Sequence, residues 1–298
     1  MGKNGIGVIG LLSILIMLAF AGCGVAPSPA ATVQPKVLRV GTIPSEDATR
    51  MREAYLPLAA HLEKKLGMKV ELFVATDYTG AIEAMRAGKL DIALFGPFSY
   101  VLAAEKANAE VFAVERVNGA TTYKSIIVTR PDSGINSLQD LRGRTFAFVD
   151  PASTSGHLFP RSFLKKNNID PDKEFKSLVF AGTHDAVELA VKNRKVDAGA
   201  DSNKTYNKMK KEGLISDQDI KIIYESDPIP GSPWAWRKDL PQELRTKIKD
   251  AFLSMDKDAP EVFDRKKGQE AYVPFSDAEY NVVRETAKIL NLDLTKMK

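Results

Sequence analysis

The chain has 298 residues, a length that suits one large fold or two lobes of about 100 to 150 residues. A hydrophobic share of 44% against 27% charged, with 20 Gly and 16 Pro, is that of an ordinary folded protein and excludes disordered, collagen-like and polytopic membrane chains. The charge of +4, from 42 basic and 38 interspersed acidic residues, gives no sign of a nucleic-acid partner; a single Cys excludes an internal disulfide, a cysteine-based zinc site and an iron-sulfur cluster.

In chain order, Lys3 and the apolar run Val8 to Phe20 read as a targeting segment over residues 1–22, too short to span a bilayer comfortably. A buried first helix is the alternative, and Gly5, Gly7 and Gly10 argue against it. Phe20-Ala21-Gly22-Cys23 is similar to a bacterial lipobox, with Phe20 where Leu is usual, so Cys23 is expected to be lipidated. Plain secretory cleavage nearby is the competing reading. From Gly24 to Pro35 the chain has no charge and little bulk, and is expected to be an extended tether.

Leu38 to Ile43 alternates and breaks at Pro44, as a strand does before a loop. A helix is expected over about Thr49 to Leu66, ending at Gly67, then a strand over Val70 to Ala75, a helix over Gly80 to Ala87 and a strand over Leu90 to Phe95. The order returns with strands at Thr145 to Val149, Lys176 to Phe180 and Val196 to Ala200, separated by helices at His157 to Asn167 and Asp185 to Lys192. Both halves have the β-α-β-α-β pattern of an open parallel sheet. Helices are expected at Pro241 to Met255, Pro260 to Lys267 and Asp277 to Leu290, packed back on the first half.

The fold expected is therefore α/β and two-lobed, each lobe a mixed or parallel sheet flanked by helices. Residues 36–129 with 228–298 would form lobe 1 and residues 130–227 lobe 2. Arg130-Pro131 and the run Asp227 to Pro233 mark two crossings, a two-segment hinge able to close on a ligand. Trp234 and Trp236 are expected to pack at that hinge, His61 to be on the surface, and His184 to be a loop residue that orients its neighbours.

Asp150-Pro151-Ala152-Ser153-Thr154-Ser155-Gly156-His157 lies between a strand and a helix, where free N–H groups and the helix dipole favour an anion. Plain N-capping is the competing reading, though three hydroxyls exceed what a cap needs. The loop has no lysine and not the Walker spacing, so nucleotide hydrolysis is not supported.

Ser153-Thr154-Ser155-Gly156, Asp77-Tyr78-Thr79-Gly80, Ala181-Gly182-Thr183-His184-Asp185, the strand end Asp197 to Asp201, Ile229-Pro230-Gly231 and Trp236-Arg237-Lys238 together resemble the phosphonate/phosphite family of periplasmic substrate-binding proteins of ABC transporters. The resemblance runs from Leu38 to about Phe275. It implies a two-lobed periplasmic-binding-protein fold of type II and an oxyanion held by Ser153, Thr154, Ser155, Tyr78 and Tyr123. Asp185 stands where the family places an acidic residue facing the rest of the ligand. His157 falls where many members have histidine and others an aromatic, and Asp201 where some have Asn. The partners implied are a small phosphorus oxyanion (phosphonate, phosphite or phosphate) and an ABC permease with its ATPase. The membrane would be reached through the lipidated Cys23 of an exported monomer, with no cofactor, metal or nucleic acid.

Apart from the resemblance, neutral hydroxyls and amides can bind a dehydrated oxyanion, while Asp185 or Asp201 could accept a ligand proton and so reject sulfate. Ser155 and His157 with an Asp could form a hydrolytic trio, but Ser155 lacks the Gly-x-Ser-x-Gly elbow, so no catalytic residue is assigned. A sensor ectodomain, or a receptor for another small anion on the same fold, is the remaining alternative.

Overall fold

The alternating run becomes β1 (Val37–Thr42), in which Leu38 and Val40 are fully buried while Val37 and Arg39 are not. The computed structural model describes residues 35–265 and 268–294; the apolar leader, Cys23 and all but the last residue of the tether lie outside that range. Helix α1 (Ala48–Leu66) follows, its Asp47 cap accepting the Arg50 N–H at 3.0 Å and its end set by Gly67. With β2 (Lys69–Val74), α2 (Tyr78–Arg86) and β3 (Ile92–Leu94), it completes the expected unit; β1 pairs in parallel with both neighbours.

Two elements absent from the sequence reading come next, α3 (Pro97–Lys106) and β4 (Ala109–Val117). Proline in the first turn and a Ser99 hydroxyl that accepts the Gly96 N–H at 2.9 Å fix the start of α3. The chain then crosses through β5 (Thr122–Tyr123) to β6 (Ser125–Thr129), β7 (Thr145–Phe148), α4 (Phe159–Lys166), the single turn α5 (Pro171–Glu174) and β8 (Ser177–Phe180). After these come α6 (His184–Lys192), β9 (Ala198–Ser202), α7 (Asn203–Lys211) and β10 (Lys221–Glu225). It returns through β11 (Ile229–Pro230) to β12 (Pro233–Arg237), α8 (Gln242–Leu253), α9 (Met255–Asp258), β13 (Gln269–Pro274) and α10 (Asn281–Ile289).

One sheet has the order β13-β4-β12-β3-β1-β2 and the other β10-β6-β9-β7-β8. In each, the strand delivered straight after a crossing enters antiparallel to its neighbours: β6 between β10 and β9, and β12 between β4 and β3. The crossings themselves, β5 and β11, pair as a two-stranded antiparallel ribbon. Its continuation needs glycine at Gly231, whose N–H donates to the Thr121 carbonyl at 2.8 Å and where a Cβ would stand 2.7 Å from that oxygen.

Ser125–Thr129, assigned to lobe 1 from sequence, is a strand of the second sheet. It is buried along its whole length, as an inner strand must be, and Arg130-Pro131 marks only its end. Pro260 to Lys267, expected as a helix, begins as a short 3-10 turn over Pro260–Val262.

His61 is buried, not on the surface: its Nε2 lies 3.1 Å from the Ala251 carbonyl of α8, the polar partner that lets an imidazole sit between two helices. The tryptophans serve the first sheet and not the hinge. Trp236 stacks on Phe112 with centroids 4.5 Å apart, and Trp234 meets Phe252 of α8 at 5.1 Å.

Candidate functional site

Beyond β7 the chain does not enter α4 directly. Thr154–Leu158 makes one π turn, closed by the Phe159 N–H on the Thr154 carbonyl, and the Ser153 Oγ caps it by accepting the Gly156 N–H at 3.2 Å. The first N–H groups of a helix have no partner within it and must be met by side chains, water or a ligand, and π turns occur often at functional sites. Gly156 is required by space: a Cβ there would lie 2.2 Å from Val149 Cγ2 and 2.9 Å from the Ser153 Oγ.

Each of the three hydroxyls has a different occupation. Ser153 acts as the cap and lies against the Tyr78 phenol. Thr154 bridges the lobes, its Oγ1 accepting the Phe98 N–H from the first turn of α3 at 2.8 Å. Ser155 Oγ is buried with no hydrogen-bond partner of good geometry among the described residues, while its carbonyl accepts the Ser125 hydroxyl at 2.7 Å. The Tyr123 phenol lies beside Thr154, the Ser155 side chain and the Ser155 N–H. An uncommitted buried hydroxyl is costly unless something accepts from it.

Asp150 opens the loop, accepting the Ala152 N–H at 2.7 Å and the Tyr78 N–H from the other lobe. Burial, its largest influence, raises its carboxyl above the ordinary range. Burial also raises Tyr78 well above a free phenol, and pushes Tyr123 up to about 12, opposed in part by the neighbouring Ser155 and Thr154. Both phenols therefore keep their protons at neutral pH and are donors.

Asp185 is not aimed at this loop. Its Oδ2 accepts the Asp47 N–H at 3.2 Å and the Arg50 guanidinium at 2.6 Å, both from the start of α1, and its Oδ1 accepts from Thr183 and Ala186. Lys208 pairs with Glu46 alongside, and the His184 N–H reaches the Ser45 carbonyl at 2.9 Å. These contacts join the β1–α1 loop of one sheet to α6 and α7 of the other. Asp185 thus fastens the lobes, and its lone pairs are filled by protein donors.

His157 also departs from the expected role. Its Nδ1–H donates to the Pro151 carbonyl at 2.8 Å and its Nε2 accepts from Arg161 at 3.0 Å, so neither nitrogen is left for a ligand. Burial first, then the Arg161 charge, lowers its pKa to about 4 and keeps the ring neutral. Wedged between Phe148 and Phe180, it braces the loop from behind.

Asp201 is fully buried at the end of β9, joined to the His184 Nδ1 and beside Glu188 of α6. Burial, then mutual proximity, raises the Glu188 carboxyl strongly, and burial raises Asp201. At neutral pH this pair holds at least one proton. His184, lowered to about 4 by burial, stays neutral and is held by a carboxyl behind it.

Five of the expected residues, Tyr78, Tyr123, Ser153, Thr154 and Ser155, come together. Asp185, His157 and Asp201 stand around them in supporting roles. Sequence reading missed the Phe98 N–H, although Gly96-Pro97 after a strand was a legible helix start, and it missed Asp150 and Glu188. Glu188 carried no signal, because an acidic residue inside an amphipathic helix reads as solvated.

A family model described as an ABC transporter periplasmic substrate-binding protein for phosphonate matches residues 40–280. The phosphonates-binding periplasmic protein of Escherichia coli is 39% identical over 77% of this chain and 70% of its own length. The phosphate-import protein PhnD of Mycolicibacterium smegmatis is 32% identical over 94% of this chain and 95% of its own. Among solved structures, a binding-protein component of a phosphonate ABC transporter from Pseudomonas aeruginosa superposes with a TM-score of 0.78 at 30% identity, covering 85% of this chain and 86% of that one. PhnD1 from Prochlorococcus marinus, in complex with methylphosphonate, gives 0.80 at 25% identity, covering 87% and 99%.

Proposed function

Because the chain belongs to the family of periplasmic phosphonate substrate-binding proteins of ABC transporters, we propose that it captures a small phosphorus oxyanion between its lobes and hands it to an ABC permease. Membership places it among solute-binding proteins and not among enzymes. The observation that carries the ligand reading is the buried Ser155 hydroxyl, which has no hydrogen-bond partner of good geometry among the described residues and is set beside two protonated phenols at the start of a π turn. An oxyanion supplies the acceptors these donors lack. Closure is part of the reading, since Thr154, Tyr78 and Asp185 all bond across the lobes.

Calorimetric titration of ligand-free protein with methylphosphonate, phosphite, hypophosphite and phosphate, with sulfate as control, tests it. At least one phosphorus oxyanion is expected to bind far more tightly than sulfate and to reduce the radius of gyration in small-angle scattering. Absence of binding to all four, or sulfate binding as well as any of them, would overturn the proposal.

We further infer that this receptor acts outside the cytoplasm as a monomer on a lipid anchor at Cys23, a reading supported by the apolar leader that ends at Cys23. If so, Cys23→Ser releases the protein from the membrane fraction or leaves the leader uncleaved. Membrane association that persists with a cleaved, unmodified terminus would remove the anchor.

A further inference from the structure

The loop that leads into α1 is shaped to meet the other lobe. The Ser45 N–H turns back on the Ile43 carbonyl at 3.0 Å, the buried Met51 Sδ accepts the Glu46 N–H at 3.4 Å, and Asp47 Oδ1 caps the helix on the Arg50 N–H. Three groups are left to face outward, and each is used. The Ser45 carbonyl accepts the His184 N–H at 2.9 Å, the Asp47 N–H donates to Asp185 Oδ2 at 3.2 Å, and Arg50 Nη2 donates to the same oxygen at 2.6 Å. Asp185 is fixed from its own side, since its Oδ1 accepts the Ala186 N–H of α6 at 3.0 Å and only Oδ2 crosses. Arg50 Nη1 also lies 3.8 Å from Glu212, at the end of α7. Beside this contact Lys208 of α7 pairs with Glu46, with the signs reversed between the lobes. A slip that brought Arg50 toward Lys208, or Glu46 toward Asp185, would set like charges together, so the crossed signs select one register of closure. No bond of this network includes Tyr78, Tyr123 or the loop Ser153 to Ser155.

We propose that Arg50 and Lys208 are positioning residues of a charge latch, which acts through Asp185 and Glu46 to hold the lobes shut and raises the affinity for every oxyanion by the same factor without choosing among them. This rests on the oxyanion-receptor reading above and deepens it, because strength of capture and choice of ligand fall to different residues. Bonds made only when the lobes are together favour the closed form whichever anion fills it. A bound anion leaves after the latch breaks, so the latch acts chiefly on release. The Arg50 and Lys208 side chains are 42% and 28% exposed, which leaves their charges open to screening by salt.

The test is calorimetry and stopped-flow release with methylphosphonate, phosphite, hypophosphite and phosphate, and sulfate as control, on wild type, Arg50→Met, Glu46→Lys, Lys208→Glu and the double variant Glu46→Lys with Lys208→Glu. Arg50→Met is expected to weaken every phosphorus oxyanion that binds by about five- to tenfold, between the yield of an exposed ion pair and that of a hydrogen bond to a buried charge. The loss should appear as faster release, with the order of the ligands unchanged. Each single charge reversal should weaken binding in the same way and the double reversal should restore it, which a merely structural loss would not do. Added salt should cost wild type more affinity than it costs Arg50→Met. The proposal is overturned if Arg50→Met binds as wild type does, if the double reversal is no better than the singles, or if the order of the ligands changes, since the network would then touch the ligand. Should Arg50→Met fail to fold, the charge-reversal set decides. Wild type that binds none of the four would mark failure of the parent reading, whereas binding that is indifferent to all of these substitutions sinks the latch alone.

Discussion

Ser155→Ala is expected to weaken oxyanion binding by about 10- to 150-fold, the equivalent of about 1.5 to 3 kcal/mol for a lost hydrogen bond to a charged group. The thermal stability of the ligand-free protein should hardly change, because the Ser155 Oγ has no hydrogen bond of good geometry to lose among the described residues. Ser153→Ala is the contrasting variant. Its Oγ caps the π turn on the Gly156 N–H, so its removal should cost about 1 kcal/mol of stability. The capping and binding readings of the loop are thereby assigned to different residues. A Ser155→Ala protein that unfolds more readily while keeping its affinity would reverse that assignment and take Ser155 out of the ligand contacts.

Gly156→Ala should damage both properties together. A methyl there collides with Val149, which is fully buried and cannot swing away, and with the Oγ that caps the turn. Overpacking of this kind costs about 1 to 3 kcal/mol, and relief by displacing the turn would move the Thr154 and Ser155 donors away from the ligand position. Denaturant unfolding and calorimetry on the same sample measure the two losses. Wild-type stability with wild-type affinity would mean that the loop is soft enough to absorb a side chain, and the case for a preorganised donor set would fall.

Much of the fold was readable because it is written in local periodicity. The strand starting at Leu38, the helix closed by Gly67 and the two β-α-β-α-β halves follow from alternation, helical spacing and end signals within a few residues. Strand β4 was missed, although it is the one against which β12 and β13 both pair, because Ala109 to Val117 mixes buried and half-buried positions without clean alternation. The first crossing was placed a few residues too late for a related reason: proline marks where a strand ends, whereas where a chain changes sheets depends on pairing partners far away in sequence, and the second crossing, β11, does fall within the expected run Asp227 to Pro233.

The site divides along the same line. Three hydroxyls at a strand-to-helix junction are a local motif, and Tyr78 is itself the first residue of a helix aimed at them. The roles of Asp185 and His157 are not local. Which donors fill a carboxylate is decided by a helix well over a hundred residues earlier, as with Arg50 and Asp185, and a histidine braced by Phe180 and Arg161 has the same sequence neighbourhood as one facing a ligand.

Strand β12 sits between β3 and β4, yet the whole second sheet lies in sequence between them and it. A chain that emerges from its N-terminus therefore has the first half of one lobe available early but with a gap in the middle of its sheet, open edges on both sides, and apolar faces at Ile92 and Phe112 waiting for Trp234 and Trp236. The second lobe, whose five strands run without interruption from Ser125 to Glu225, is complete before that gap can be filled. The last part made is the keystone of the part begun first, so the exposed interval of this protein's folding is set by how long the chain takes to deliver Pro233 to Arg237.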